Sequence, residues 1–198
     1  MLKPITTSVY TFSNLREGEF VYVDKTETIR ELIRPKFAQY FCARPRRFGK
    51  SLLISTLQSL FEGRRELFRG LAIDAGDYDW KTYPVIRLDM GSCQADTVEL
   101  FWQKVGARLE SEARRNGVGY PEGKPVSVAF SELIERFAAK SPEKKMVLLL
   151  DEYDKPLLGH LGTPEVTKFK NALKEFYSVI KTQESYQRFA LMTGVSKF

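Results

Sequence analysis

Arg44-Pro45-Arg46-Arg47-Phe48-Gly49-Lys50-Ser51 is the stretch on which the reading of the fold turns. Gln39 to Cys42 (QYFC) precedes it and reads as a strand. Lys50 to Phe61 follows with Leu53, Leu57, Leu60 and Phe61 at helical spacing and Gly63 just beyond the end. A strand, a tight loop ending Gly-Lys-Ser and a helix form the setting of a phosphate-binding loop. Gly49 lets the backbone curl so that successive N–H groups point inward. The helix start adds about half a positive charge. In that reading Lys50 reaches the β- and γ-phosphates and the Ser51 hydroxyl ligates Mg²⁺. Arg44 stands where the usual GxxxxGK[ST] pattern has its first glycine. Arg44, Arg46 and Arg47 read as phosphate-proximal cations; a solvated basic turn or a DNA-facing patch is the alternative. Pro45, Phe48 and Leu52 complete the stretch expected to wrap a nucleotide.

Working outward, the chain alternates strands and helices. Val85 to Leu88, Met146 to Leu150 and Arg188 to Met192 read as strands. Thr97 to Arg115, Val128 to Ala139 and a segment opened by Thr163-Pro164 read as amphipathic helices. Strands separated by helices require crossover connections, so the expected fold is a three-layer α/β/α sandwich with a mostly parallel sheet. The first 36 residues are expected to form an arm: Phe20 to Val23 a short strand, then a helix capped by Asp24 and stopped by Pro35. Residues 37–198 are expected to form the core.

A second motif completes the first. Met146 to Glu152 (MVLLLDE) is an apolar strand ending in two carboxylates at the tip where open α/β sheets bind ligands. There Asp151 would hold Mg²⁺ and Glu152 would orient and deprotonate an attacking water. An acidic strand-to-loop boundary is the bland alternative. The two motifs together point to a P-loop NTPase. A glutamate beside the aspartate suggests the branch that includes AAA+ proteins. In that branch a polar residue at the end of the last strand senses the γ-phosphate, which makes Thr193 a candidate; a turn or capping residue is its alternative.

The composition sets limits. The chain has 198 residues, 43% hydrophobic and 28% charged, which suits a globular domain. Its longest apolar run is the five residues Met146 to Leu150, whereas a membrane-spanning helix needs about 20. No secretory signal is visible, so a cytoplasmic protein is expected. Cys42 and Cys93 are too far apart for a metal pair and are expected as reduced thiols. The net charge of 31 − 25 = +6 allows a nucleic-acid partner. His160, the one histidine, sits in a Gly-containing loop and reads as a surface residue.

Tyr22 to Thr26 (YVDKT), Ala43 to Leu52 (ARPRRFGKSL), Leu150 to Pro156 (LDEYDKP) and Leu191-Met192-Thr193-Gly194-Val195-Ser196-Lys197-Phe198 resemble the AAA-ATPase-like family of bacterial and archaeal proteins. The resemblance spans nearly the whole chain. It implies binding of ATP with Mg²⁺ and an ATPase fold of the P-loop kind, and it makes Arg44 in place of the first glycine a habit of the family. ATP hydrolysis is the main expectation; a basic nucleic-acid-binding module, a non-catalytic nucleotide-binding module or an inactive truncated copy is the alternative. Longer relatives in the family often carry a PD-(D/E)XK nuclease-like domain after the ATPase part. A homo-oligomer is a further expectation, although the sequence shows no oligomer interface. An AAA+-like sheet normally has one further strand after the sensor strand and often a helical lid. With Phe198 so close behind Thr193, the fold is expected to be incomplete at the C-terminus, in a fragment or a truncated gene product. Asp154 and Lys155 are expected, from the resemblance, as a pair near Mg²⁺; a helix-capping pair is the alternative.

Overall fold

Four strands form one sheet: β1 (Ala38–Ala43), β2 (Val85–Asp89), β3 (Met146–Asp151) and β4 (Gln187–Gly194). The computed structural model describes residues 3–6 and 8–196; Lys197 and Phe198, the end of the last family-like motif, lie outside them. The spatial order is β1-β4-β3-β2 and every pairing is parallel. β3 is interior, and all six of its residues are buried. That burial on both faces is why its sequence is a continuous apolar run rather than an alternation. Successive side chains still point to opposite faces. Leu148 and Leu150 join Ile86 and Leu88 in one core, whereas Val147 and Leu149 join Val85, Phe189 and Leu191 in the other.

The first core is covered by α4 (Val98–Arg115), α5 (Val126–Ala139) and α7 (Val166–Thr182), with the short α6 (Lys155–Leu158) just after β3. Phe130 and Phe176 stack there with centroids 4.8 Å apart. The second is covered by α3 (Lys50–Phe61), with α1 (Phe12–Glu17) and α2 (Thr26–Ile33) outside it. Leu57, Leu60 and Phe61 of α3 are fully buried, each stabilising the fold by about 1.5–3 kcal/mol. α3 ends where Gly63, at φ 75°, lets Arg64 N–H reach back to Ser59 O at 3.0 Å. The sheet is thus a middle layer between two helical layers.

The arm differs from the sequence expectation. Phe20 to Val23 is not a strand: its Val21 N–H donates to Pro4 O at 2.9 Å, and no sheet strand lies alongside it. Instead α1, which two apolar residues three apart were too few to announce, buries Phe12 and Leu15. Phe12 N–H donates to Ser55 Oγ of α3 at 2.9 Å, and the Phe12 ring meets Phe68 at 4.7 Å. Asp24 lies two residues before α2. Its Oδ1 accepts from Thr26 N–H and Thr26 Oγ1, and its Oδ2 from Ala72 N–H. Thr163-Pro164 also stops short of opening α7, which begins at Val166. The Thr163 hydroxyl donates to His160 O rather than capping the helix. His160 is half-buried rather than free at the surface: its ring stacks on Phe169 at 3.8 Å and its Nε2 meets Ala95 O at 2.8 Å.

Candidate functional site

Parallel strands put their carboxyl ends at one edge, and the register sets out a row there. Cys42 pairs with Thr193, and Asp89 pairs with Asp151. The Thr193 hydroxyl donates to Asp151 Oδ1 at 2.5 Å, with both residues buried. Glu152 N–H donates to the same oxygen at 3.0 Å.

The loop after β1 rises over this row. Arg44 N–H donates to Gly194 O at 3.1 Å, which carries the β1–β4 ladder one residue further. Arg47 and Gly49 then take left-handed backbone, φ 66° and 75°, and α3 starts at Lys50. Glycine adopts this conformation without penalty, whereas at Arg47 it costs on the order of 1 kcal/mol. The Lys50 ammonium folds back onto the loop and donates to Arg44 O and Pro45 O, both at 2.9 Å. Arg44, Arg46 and Arg47 are exposed and, among the described residues, form no ion pair.

A cleft of about 880 Å³ opens beside the loop. It is lined by Arg46, Arg47, Gly49, Lys50, Ser51 and Leu52, by Val9 and Tyr10 of the arm, and by Glu152 and Lys155 from the turn after β3. Glu152 reaches the cleft because its backbone is left-handed, φ 49°. Its Oε2 lies 3.5 Å from Lys155 Nζ and packs against Gly91, where any side chain would collide with it. A second hollow, of about 690 Å³, shares Val9, Gly49, Lys50 and Leu52 with the first and is otherwise largely apolar. Phe48, 65% exposed, and Val23, 71% exposed, form its walls with Val21, Leu32 and Leu53.

The expected residues therefore divide. Arg46, Arg47, Gly49, Lys50, Ser51, Leu52 and Glu152 share one cleft. Phe48 faces the neighbouring hollow, and the carbonyls of Arg44 and Pro45 hold Lys50. Asp151 and Thr193 are bonded to each other at the strand ends and do not line the cleft. Asp154 is fully buried and bonds Val195 and Ser196, whereas Lys155 lines the cleft. Sequence reasoning missed Asp89, exposed at the end of β2 with its Oδ1 accepting from Gly91 N–H at 2.9 Å. Its signal was available, an aspartate ending an apolar strand, as at Asp151. It also missed Val9 and Tyr10, which nothing in their sequence marks. Behind the site, burial, and then repulsion from Tyr153 and Asp154, raises the Tyr177 hydroxyl well above the usual tyrosine range. It stays protonated and donates to Tyr153 O at 2.7 Å. Among the described residues no group of three His, Cys, Asp or Glu side chains could hold a metal by itself. No described helix is long and apolar enough to cross a membrane.

Comparison with known proteins places this chain in a family. The chain is 38% identical over 199 residues to an "Uncharacterized protein in vnfD 5′region" of Azotobacter chroococcum mcd 1, an alignment covering 99% of this chain and 38% of that protein. The chain thus spans less than two fifths of that relative's length. No solved structure matches. The family model described as "Predicted AAA-ATPase" matches residues 6–198, and the chain belongs to that AAA-ATPase-like family.

Proposed function

We propose that this chain is a P-loop NTPase domain that binds ATP with Mg²⁺ and hydrolyses it. One observation carries the reading. Lys50 and Ser51 at the start of α3, and Glu152 from the far end of the sequence, line a single cleft at the carboxyl edge of a parallel sheet. The donor set suits a triphosphate. The N-terminus of the 12-residue α3 and the cations Arg46, Arg47 and Lys50 face it, and the arginines have no acid of their own to neutralise.

Lys50 leaves the carbonyls of Arg44 and Pro45 and turns to the β- and γ-phosphates. Loop N–H groups around Gly49 bind the same oxygens, and Arg46 and Arg47 neutralise the remaining charge. Ser51 lines the cleft and would hold Mg²⁺, with Asp151, buried at the end of β3, as the carboxylate behind it; the ion when bound supplies positive charge against the phosphates. Glu152 orients the attacking water and takes its proton. Thr193, on the oxygen of Asp151, keeps that carboxylate aligned. The apolar hollow beside the loop receives the nucleoside, since it joins the phosphate cleft at Gly49 and Lys50.

Melting with and without Mg-ATP tests binding. At about 100 times its dissociation constant, Mg-ATP is expected to add about 2.7 kcal/mol of stability. Lys50→Ala should abolish the shift, and Glu152→Gln should keep it while losing hydrolysis. Two variants that bind and hydrolyse like the parent would overturn the reading.

A further inference from the structure

The fully buried Asp154 is a carboxylate that the proposed mechanism does not use. Its Oδ2 accepts three hydrogen bonds, from Val195 N–H, Ser196 N–H and Ser196 Oγ, each at 2.8 Å. Its Oδ1 has no partner among the described residues. The neighbouring Tyr153 grips the same segment, its N–H donating to Thr193 O at 2.9 Å and its hydroxyl to Ser196 O at 2.7 Å. The fit is close. A methyl group on Gly194 would stand 2.5 Å from Tyr153 Cδ1 and 2.9 Å from Asp154 Oδ1.

This segment touches three parts of the site. Thr193 holds Asp151, Gly194 O accepts from Arg44 at the start of the phosphate loop, and Val195 and Ser196 are tied to the turn that follows Glu152. Asp154 is therefore the anchor by which the phosphate loop and the acidic turn hold a fixed separation. A neutral acceptor could satisfy two N–H groups at a much lower desolvation cost than a carboxylate with one bare oxygen.

We infer that Asp154 is a positioning residue for hydrolysis. Through residues 193–196 it keeps the Glu152 carboxylate at the right distance from a phosphate held by the loop, without touching the nucleotide. This rests on the ATPase reading above.

The test compares the parent with Asp154→Asn and Ser196→Ala, measuring the dissociation constant for Mg-ATP, the single-turnover hydrolysis rate and the melting temperature. Asn keeps an acceptor for the two N–H groups and removes the charge. Asp154→Asn is expected to bind Mg-ATP within about threefold of the parent and to hydrolyse it at least about tenfold more slowly. Ser196→Ala removes one of the three bonds and should slow turnover by about threefold with binding unchanged, which keeps the test open if Asp154→Asn fails to fold. Combining Asp154→Asn with Thr193→Val should give a rate loss smaller than the product of the single losses, because both act on one segment. Parental turnover in Asp154→Asn, or losses of binding and rate that only track a fall in melting temperature, would overturn the inference and leave the ATPase reading standing. A parent that does not hydrolyse ATP would remove both.

Discussion

Replacing Thr193 by valine isolates one bond at the centre of the site. The side chains are nearly the same shape, so packing is preserved and only the hydroxyl is lost. Thr193 is 0% and Asp151 4% exposed, so water cannot replace the donor. Asp151 Oδ1 would keep only the Glu152 N–H, at 3.0 Å. A hydrogen bond to a charged group contributes about 1.5–3 kcal/mol, and its loss at a buried acceptor is felt in full. In a chain of this size each kcal/mol moves the melting temperature by about 2–4 °C, so Thr193→Val should melt roughly 3–12 °C lower. Thr193→Ser retains the hydroxyl and loses a methyl, so it should recover most of that difference. Thermal unfolding followed by circular dichroism, in parallel with nucleotide turnover, is the assay. If valine melts with the parent, or serine melts with valine, the bond between β3 and β4 does not carry the stated energy.

Three other substitutions probe the same framework. Glu152→Gly relieves a left-handed backbone worth about 1–2 kcal/mol, less the larger entropy of unfolded glycine; denaturant titration should find it up to about 1 kcal/mol more stable while turnover is lost. Gly194→Ala drives a methyl into Tyr153 and Asp154 and should destabilise by at least about 1–3 kcal/mol, read as a lowered denaturant midpoint with an unchanged slope. Asp24→Ala should cost about 1 kcal/mol at pH 7 through loss of the bonds to Thr26 and Ala72. Burial raises the Asp24 carboxyl, but those hydrogen bonds outweigh it and hold the pKa below the ordinary aspartate value. The stabilisation is therefore present above about pH 4 and fades as pH falls through the lowered folded value, so the gap between parent and variant should close in acid.

Elements carrying a local period were legible in the sequence. α3 spans Lys50–Phe61 as its spacing predicts, and the run Met146 to Leu150 becomes the interior strand because nothing else could bury it on both sides. The arm was less legible. Val21, Tyr22 and Val23 have strand propensity, but propensity forms no strand without a partner edge, and the carboxyl-edge loops offer none there. The anchoring role of Asp154 was illegible for another reason. Its partners Val195 and Ser196 lie 41 and 42 positions away, and they meet it only because β4 inserts between β1 and β3. The same insertion brings Thr193 to Asp151, a contact that neither residue's neighbours in sequence could indicate.

The unusual composition of the loop after β1 follows from where its backbone turns. In the common pattern the first glycine permits an early departure from the strand. Here Arg44 does not depart: its N–H continues the ladder to Gly194 O, so the position needs no left-handed conformation and accepts a long side chain. The turn comes later, at Arg47 and Gly49, and the strained position is Arg47, which lines the cleft. Strain is tolerated where the surroundings over-determine a conformation. The surroundings here are Lys50 pinning the carbonyls of Arg44 and Pro45, and α3 fixed by Leu57, Leu60 and Phe61 beneath. Moving the turn by three residues leaves Arg44 at the strand end, Arg46 and Arg47 over the cleft and Phe48 in the apolar hollow. A loop with fewer glycines thus gains two cations over the cleft and an aromatic wall beside it, next to the pairing of β1 with β4.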